Sequence, residues 1–221
     1  MSTSVADNLA QVSKDISRMC RHAGAPDVQP RLIAVSKMQP EDRVVEALEA
    51  GHRVFGENRV QEAEGRWLPL KERFPDVELH LIGSLQSNKA SDAVALFDEI
   101  HSLDRIKLAD ALKKEMDAQG RQLPVYIQVN TGREDQKGGV SLEELPGLLA
   151  HAREIGLNVV GLMVIPPVDD DPTLHFALLK KLAARHGLAR LSMGMSSDFA
   201  LAAAMGATDV RVGTAIFGNR A

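Results

Sequence analysis

Residues 158–167 read NVVGLMVIPP, an apolar run broken only by Gly161 and stopped by Pro166 and Pro167. The run has strand length and does not alternate with polar residues, so it needs cover on both faces, as a strand of a parallel sheet does. Comparable runs lie on either side of it. Toward the N-terminus they are LPVYIQVN (123–130), EIHSLD (99–104), ELHLIG (78–83), RVFG (53–56) and RLIAVS (31–36). Toward the C-terminus they are ARLSM (189–193) and DVRVG (209–213), making eight in all. Each interval is wide enough for a crossover helix, such as DRIKLADALKKEMDAQG (104–120) or SLEELPGLLAHAREIG (141–156). The pattern favours an α/β fold built as one (β/α)8 TIM barrel. A doubly wound open sheet is the other arrangement that eight such strands allow.

Residues 5–22 carry Val5, Leu9, Val12, Ile16 and Met19 at steps of three and four, which predicts an amphipathic helix within an N-terminal extension over 1–28. It is expected to dock on the barrel. A second helix is predicted from about Glu41 to Ala50, stopped by Gly51. No linker or low-complexity tract divides the chain, which reads as a single domain over 1–221.

Of the 221 residues, 44% are hydrophobic and 25% charged, and the net charge of −4 argues against a nucleic-acid partner. The lone Cys20 has no internal disulfide partner and fits a reducing compartment. The first twenty residues are too polar for a signal peptide, and no apolar run approaches the ~18 residues of a membrane span. The expectation is a cytoplasmic protein with no membrane contact.

Chemistry in such barrels sits where strands run into the following helices. Lys37 follows the first strand, where an amine facing the barrel mouth is partly desolvated and can attack a carbonyl. A solvated loop lysine is the plainer alternative. SMGMSSD (192–198) and RVGTAIFG (211–218) are rich in small residues and hydroxyls that let backbone N–H groups approach an anion, and Ser196 or Ser197 would cap the helix DFALAAAMGA. Turns and caps explain such loops equally well in isolation. Together with Lys37, they are what a phosphorylated aldehyde needs.

Arg211 should project near the same mouth, either in a salt bridge or hydrogen-bonded to a ring nitrogen. A permanent cation there would leave a pyridine nitrogen unprotonated and weaken the ring as an electron sink. Asn58 would reach a ligand or cap the next helix, His101 and Ser102 would face the mouth, and Asp104 would cap a helix. His80 reads as a satisfied core histidine, and Met163, Met193 and Met195 as core or pocket wall. The seven His and one Cys show no HExxH or CxxC spacing, which points away from structural zinc. Walker, GxGxxG and GxSxG motifs are absent.

AVSKMQP (34–40), FGENRVQE (55–62), HLIGSLQSNK (80–89), IHSLDR (100–105), LSMGMSSDF (191–199) and VRVGTAIFG (210–218) together resemble the pyridoxal phosphate homeostasis protein family, over about residues 30–218. The resemblance implies a barrel like the alanine racemase N-terminal domain, with pyridoxal 5′-phosphate (PLP) held as a Schiff base on Lys37. By the same matching, Ser196 and the backbone of Gly213 and Thr214 would hold the phosphate, Arg211 would face the pyridine nitrogen, and Asn58 and Met195 would line the pocket. NTGREDQKGGV (130–140) looks like the family's flexible polar segment, with no role assigned.

The implied function is intracellular vitamin B6 homeostasis with little or no catalysis and no catalytic residue. PLP-dependent apoenzymes would be acceptors, and the chain a monomer. Alanine racemase-like enzymes add a C-terminal β-domain that supplies a catalytic tyrosine. This sequence ends at Ala221 and its one tyrosine, Tyr126, lies within a strand, so a second acid/base is not evident. A PLP-dependent amino-acid racemase-like enzyme is the alternative, and a lysine aldolase ranks below it.

Overall fold

The computed structural model describes residues 4–134 and 138–218. Strands β1 (Arg31–Val35), β2 (Val54–Glu57), β3 (Glu78–Leu81), β4 (Glu99–Leu103), β5 (Val125–Gln128), β6 (Val159–Met163), β7 (Arg190–Ser192) and β8 (Asp209–Val212) close in sequence order into a barrel. β1 pairs in parallel with both β2 and β8, which removes the open-sheet alternative. The run 158–167 that announced the architecture contributes β6, and its prolines fall beyond the strand.

Helices α2 (Glu41–Glu49), α3 (Val60–Arg73), α4 (Ala90–Leu96), α5 (Ile106–Gln119), α6 (Leu145–Glu154), α7 (Pro172–Arg185), α8 (Phe199–Ala204) and α9 (Thr214–Phe217) follow the strands in turn. Outward strand residues such as Ala34, Leu79, Ile127 and Leu162 share one core with Leu48, Trp67, Leu112 and Phe176 of the helices. Gly51, at φ +91, supplies the left-handed conformation that ends the turn after α2 and that a Cβ disfavours.

Helix α1 (Val5–His22) precedes the barrel and packs on α2, α8 and α9. Ser4 caps it by accepting the Asp7 N–H at 3.0 Å. Its buried stripe is Val5, Leu9, Val12, Ile16 and Cys20, so the cysteine rather than Met19 takes the last core position. The step of four from Ile16 keeps that position on the same face. Asn8 Nδ2 adds a bond to the Ile216 carbonyl at 2.8 Å.

Contacts between strands that are not neighbours must cross the barrel interior, and at its amino-terminal end these are polar. Arg31 on β1 holds Glu99 on β4 across the interior through two bonds of 2.8 and 2.6 Å, and also Asp209 on the neighbouring β8 at 2.7 Å. Arg190 reaches Glu99 at 3.2 Å. Tyr126 donates its hydroxyl to Asp209 at 2.7 Å and stacks on His101, with ring centroids 4.1 Å apart. Burial, with Asp209 beside it, pushes the Tyr126 phenol pKa up. The barrel therefore has an ionic floor below and leaves its carboxyl-terminal mouth for a ligand.

Candidate functional site

A cavity of about 440 Å3 opens at the carboxyl ends of the strands. Lys37, Asn58, Met195, Ser196, Arg211, Gly213 and Thr214 all line it, so the residues singled out from separate motifs meet in one place. Among the described lining residues, only Lys37 and Arg211 carry titratable side chains.

Lys37 leaves the barrel just past β1, on a loop pinned from behind. Arg66 of α3 donates to the Ser36 carbonyl at 2.8 Å and the Gln39 carbonyl at 2.7 Å, so the guanidinium bridges both sides of the lysine. Glu57 at the end of β2 is buried and accepts from Ser36 Oγ at 2.7 Å, Trp67 Nε1 at 3.0 Å and Arg66 at 3.3 Å. A buried carboxylate needs such donors, and their convergence fixes the loop. Met38, next to the lysine, has φ +56, a conformation uncommon for a residue with a Cβ.

Across the cavity, Ser196 Oγ accepts the N–H groups of Gly213 at 3.1 Å and Ala215 at 3.4 Å, joining the loop after β7 to the one after β8. The cap of α8 is Asp198, not Ser196 or Ser197, and its carboxylate accepts the Met195 N–H at 2.5 Å instead of a helix N–H. Ser196 is thereby released from capping. Arg211 is buried and donates to Ser192 Oγ at 2.7 Å and the Val164 carbonyl at 2.8 Å. With neutral bonded partners, burial dominates, and its pKa is lowered to about 10 against the pull of Asp198 and Asp209.

Asn58 lines the cavity and does not cap α3, whose cap position is Arg59. Asp104 pairs with Arg105 at 2.5 Å, and α5 has no side-chain cap. His101 and Ser102 do not reach the mouth. His101 bonds Ser192 Oγ at 2.8 Å in the interior, and Ser102 Oγ is buried without a partner. His80 is a core residue, yet both its ring nitrogens lack hydrogen-bond partners, so it is not the satisfied histidine expected. Met163 and Met193 are core, and Met195 is pocket wall. The segment 130–140 is described except for 135–137, which lie outside the described residues.

Gln128, Ser84 and Ile165 also line the cavity and were not singled out by the sequence. Gln128 stands two residues after Tyr126 on β5, so period-two alternation carries the signal for it. Glu57 and Arg66 were missed as well, and the charge inside the short strand run VFGE was the clue.

The family description "Alanine racemase, N-terminal domain" matches residues 8–221. A curated relative in Pseudomonas aeruginosa, named pyridoxal phosphate homeostasis protein, is 41% identical over 226 residues, covering 100% of this chain and 97% of the relative. The chain belongs to the pyridoxal phosphate homeostasis protein family. The Escherichia coli K12 protein of that name is 38% identical, over 98% of this chain and 97% of its own length. Among solved structures similar to this member of the family, PipY of Synechococcus elongatus with PLP bound gives a TM-score of 0.84 at 39% identity, covering 97% of this chain and 100% of PipY. PipY without PLP gives 0.88 at 38%.

Proposed function

We propose that this chain binds PLP reversibly through Lys37 and serves cellular PLP homeostasis as a carrier with little or no turnover of its own. The carrying observation is the convergence of the Lys37 amine and the Ser196–Gly213–Thr214 loops on one cavity, with Arg211 in its wall. The residues fit the cofactor. Gly213 and Ala215 already present their N–H groups to an oxygen, that of Ser196, which is the donor arrangement a phosphate oxygen takes at such loops. A Cβ on Gly213 would stand 3.2 Å from the Val35 carbonyl oxygen, so glycine keeps that wall open. Arg211 donates and never accepts, so a ring nitrogen facing it stays unprotonated.

Bound PLP would supply an aldehyde, and Lys37 would hold it as a reversible Schiff base, water leaving on formation and adding back on release. Arg66 and Glu57 hold the lysine's loop in place for both directions. Acceptor apoenzymes, a cytoplasmic setting and a monomeric chain belong to the same reading. None of the described helices is long and apolar enough to cross a membrane.

Racemisation needs a second acid or base on the opposite face of the substrate. Among the described residues the cavity lining offers only Lys37 and Arg211, while Tyr126 is engaged with Asp209 in the floor. This composition favours the carrier over the racemase-like enzyme. The test is the visible spectrum of the PLP-loaded protein, with mass analysis of the Lys37 peptide after borohydride reduction. Lys37→Ala is expected to lose the Schiff-base absorbance and stay folded; unchanged absorbance overturns the assignment. Rapid deuterium wash-in at Cα of alanine or serine in D2O would favour the enzyme.

A further inference from the structure

The barrel floor holds a second cluster that PLP binding does not use. Glu99 and His101 stand on β4, and His80 stands beside them on β3, with relative exposures of 6%, 0% and 0%. Among the described residues, one atom from each of the three lies within 4.8 Å of the others. His101 Nε2 is 3.4 Å and His80 Nδ1 3.8 Å from Glu99 Oε2. These separations exceed the ~2.7–3.2 Å of a good N–H···O bond. Both His80 nitrogens and His101 Nε2 are buried without a hydrogen-bond partner. Yet these two spacings to Glu99 approach the edges of a coordination tetrahedron, about 3.3–3.6 Å for bonds of about 2.0–2.2 Å.

The outer atoms are arranged to match. A histidine that ligates a metal through one nitrogen gives its other N–H to a hydroxyl or carboxylate, which fixes tautomer and orientation. His101 Nδ1 lies 2.8 Å from Ser192 Oγ, and His80 Nε2 lies 3.6 Å from Glu78 Oε2, on a side chain exposed enough to close the gap. Glu99 Oε2 accepts from Arg31 at 2.6 Å and keeps a second lone pair. Around the cluster, the carboxylates of Glu78, Glu99 and Asp209 face the guanidinium groups of Arg31 and Arg190, and Arg211, which meets the cluster through Ser192, is drawn by Asp198 as well as Asp209.

We propose that His80, Glu99 and His101 form a binding site for one divalent first-row cation of the zinc kind, with water as the fourth ligand. Entry is from the amino-terminal end of the barrel, past the partly exposed side chains of Arg31 and Glu78. No ligand of this site lines the Lys37 cavity. Ser192 joins the two, since its hydroxyl meets His101 and accepts from Arg211. The site ties β3 to β4 and braces the arginine beneath the cofactor pocket.

The test is zinc titration of the full, chelator-stripped chain against a chromogenic competitor, with and without PLP. One zinc per chain is expected, with affinity lowered about 100-fold or more in His80→Asn and in Glu99→Gln. His151→Gln, on an outer helix, should bind as the natural chain does. Should the floor variants unfold, imidazole 15N spectra of the natural chain decide, since zinc must shift His80 Nδ1 and His101 Nε2. Substoichiometric binding, equal affinity in His80→Asn, or shifts confined to exposed histidines such as His22 would overturn the proposal.

Discussion

Gly83 follows β3 where the chain passes Asn58 so closely that a Cβ would lie 2.3 Å from the Asn58 carbonyl oxygen and 2.7 Å from its Cα. No side chain fits without moving backbone. Gly83→Ala is therefore expected to push the Asn58 loop away from the cavity, costing about 1–3 kcal/mol by overpacking and weakening PLP binding at the same time. Thermal unfolding and a PLP titration check the two effects, and an unchanged value for both would contradict this account. Glu57 makes a contrasting case, because its buried carboxylate answers three donors at once. Glu57→Ala would strand Ser36, Trp67 and Arg66, with a loss of about 3–5 kcal/mol expected in denaturant unfolding.

At the scale of elements, α1 is held by a single stripe of side chains. Ile16 is 3% exposed within it, and Ile16→Ala should cost about 2–5 kcal/mol through the cavity left against the barrel. The same helix shows what a sequence reveals. Its period of three and four residues is local, so both its extent and its buried face were readable, apart from the exchange of Met19 for Cys20 at the end.

Strands such as β1 and β6 were readable for a related reason, since a buried parallel strand advertises itself by a short apolar run. Lys37 stood out because it ends such a run. The caps were less accessible. Asp104 and Ser196 had the right chemistry, but Asp104 pairs with Arg105 and Ser196 accepts from Gly213 and Ala215 across the mouth, not from α8. The direction of side chains into the barrel was hidden too. Pairing between β4 and β5 shifts register between Ile100 and Leu103, which no count along one strand anticipates, and His101 and Ser102 lie within that interval.

At the scale of the whole molecule, the ionic floor works as a girdle linking strands from opposite sides of the barrel. Arg31 touches carboxylates from β3, β4 and β8, and two of them, Glu99 and Asp209, are almost wholly buried. Arg31→Ala would leave those two charges poorly compensated, and a loss of about 3–5 kcal/mol in chemical unfolding is expected. A change below about 1 kcal/mol would mean that Arg190 alone can satisfy the floor.

The pairing of β1 with β8 has a further effect during synthesis. Lys37 leaves the ribosome early, whereas Gly213 and Thr214 emerge well over a hundred residues later, after every intervening strand. At roughly 5–20 residues per second, many seconds separate the two sides of the cavity. On the proposed function, the trap for a reactive aldehyde would be assembled only when the last strand closes the ring.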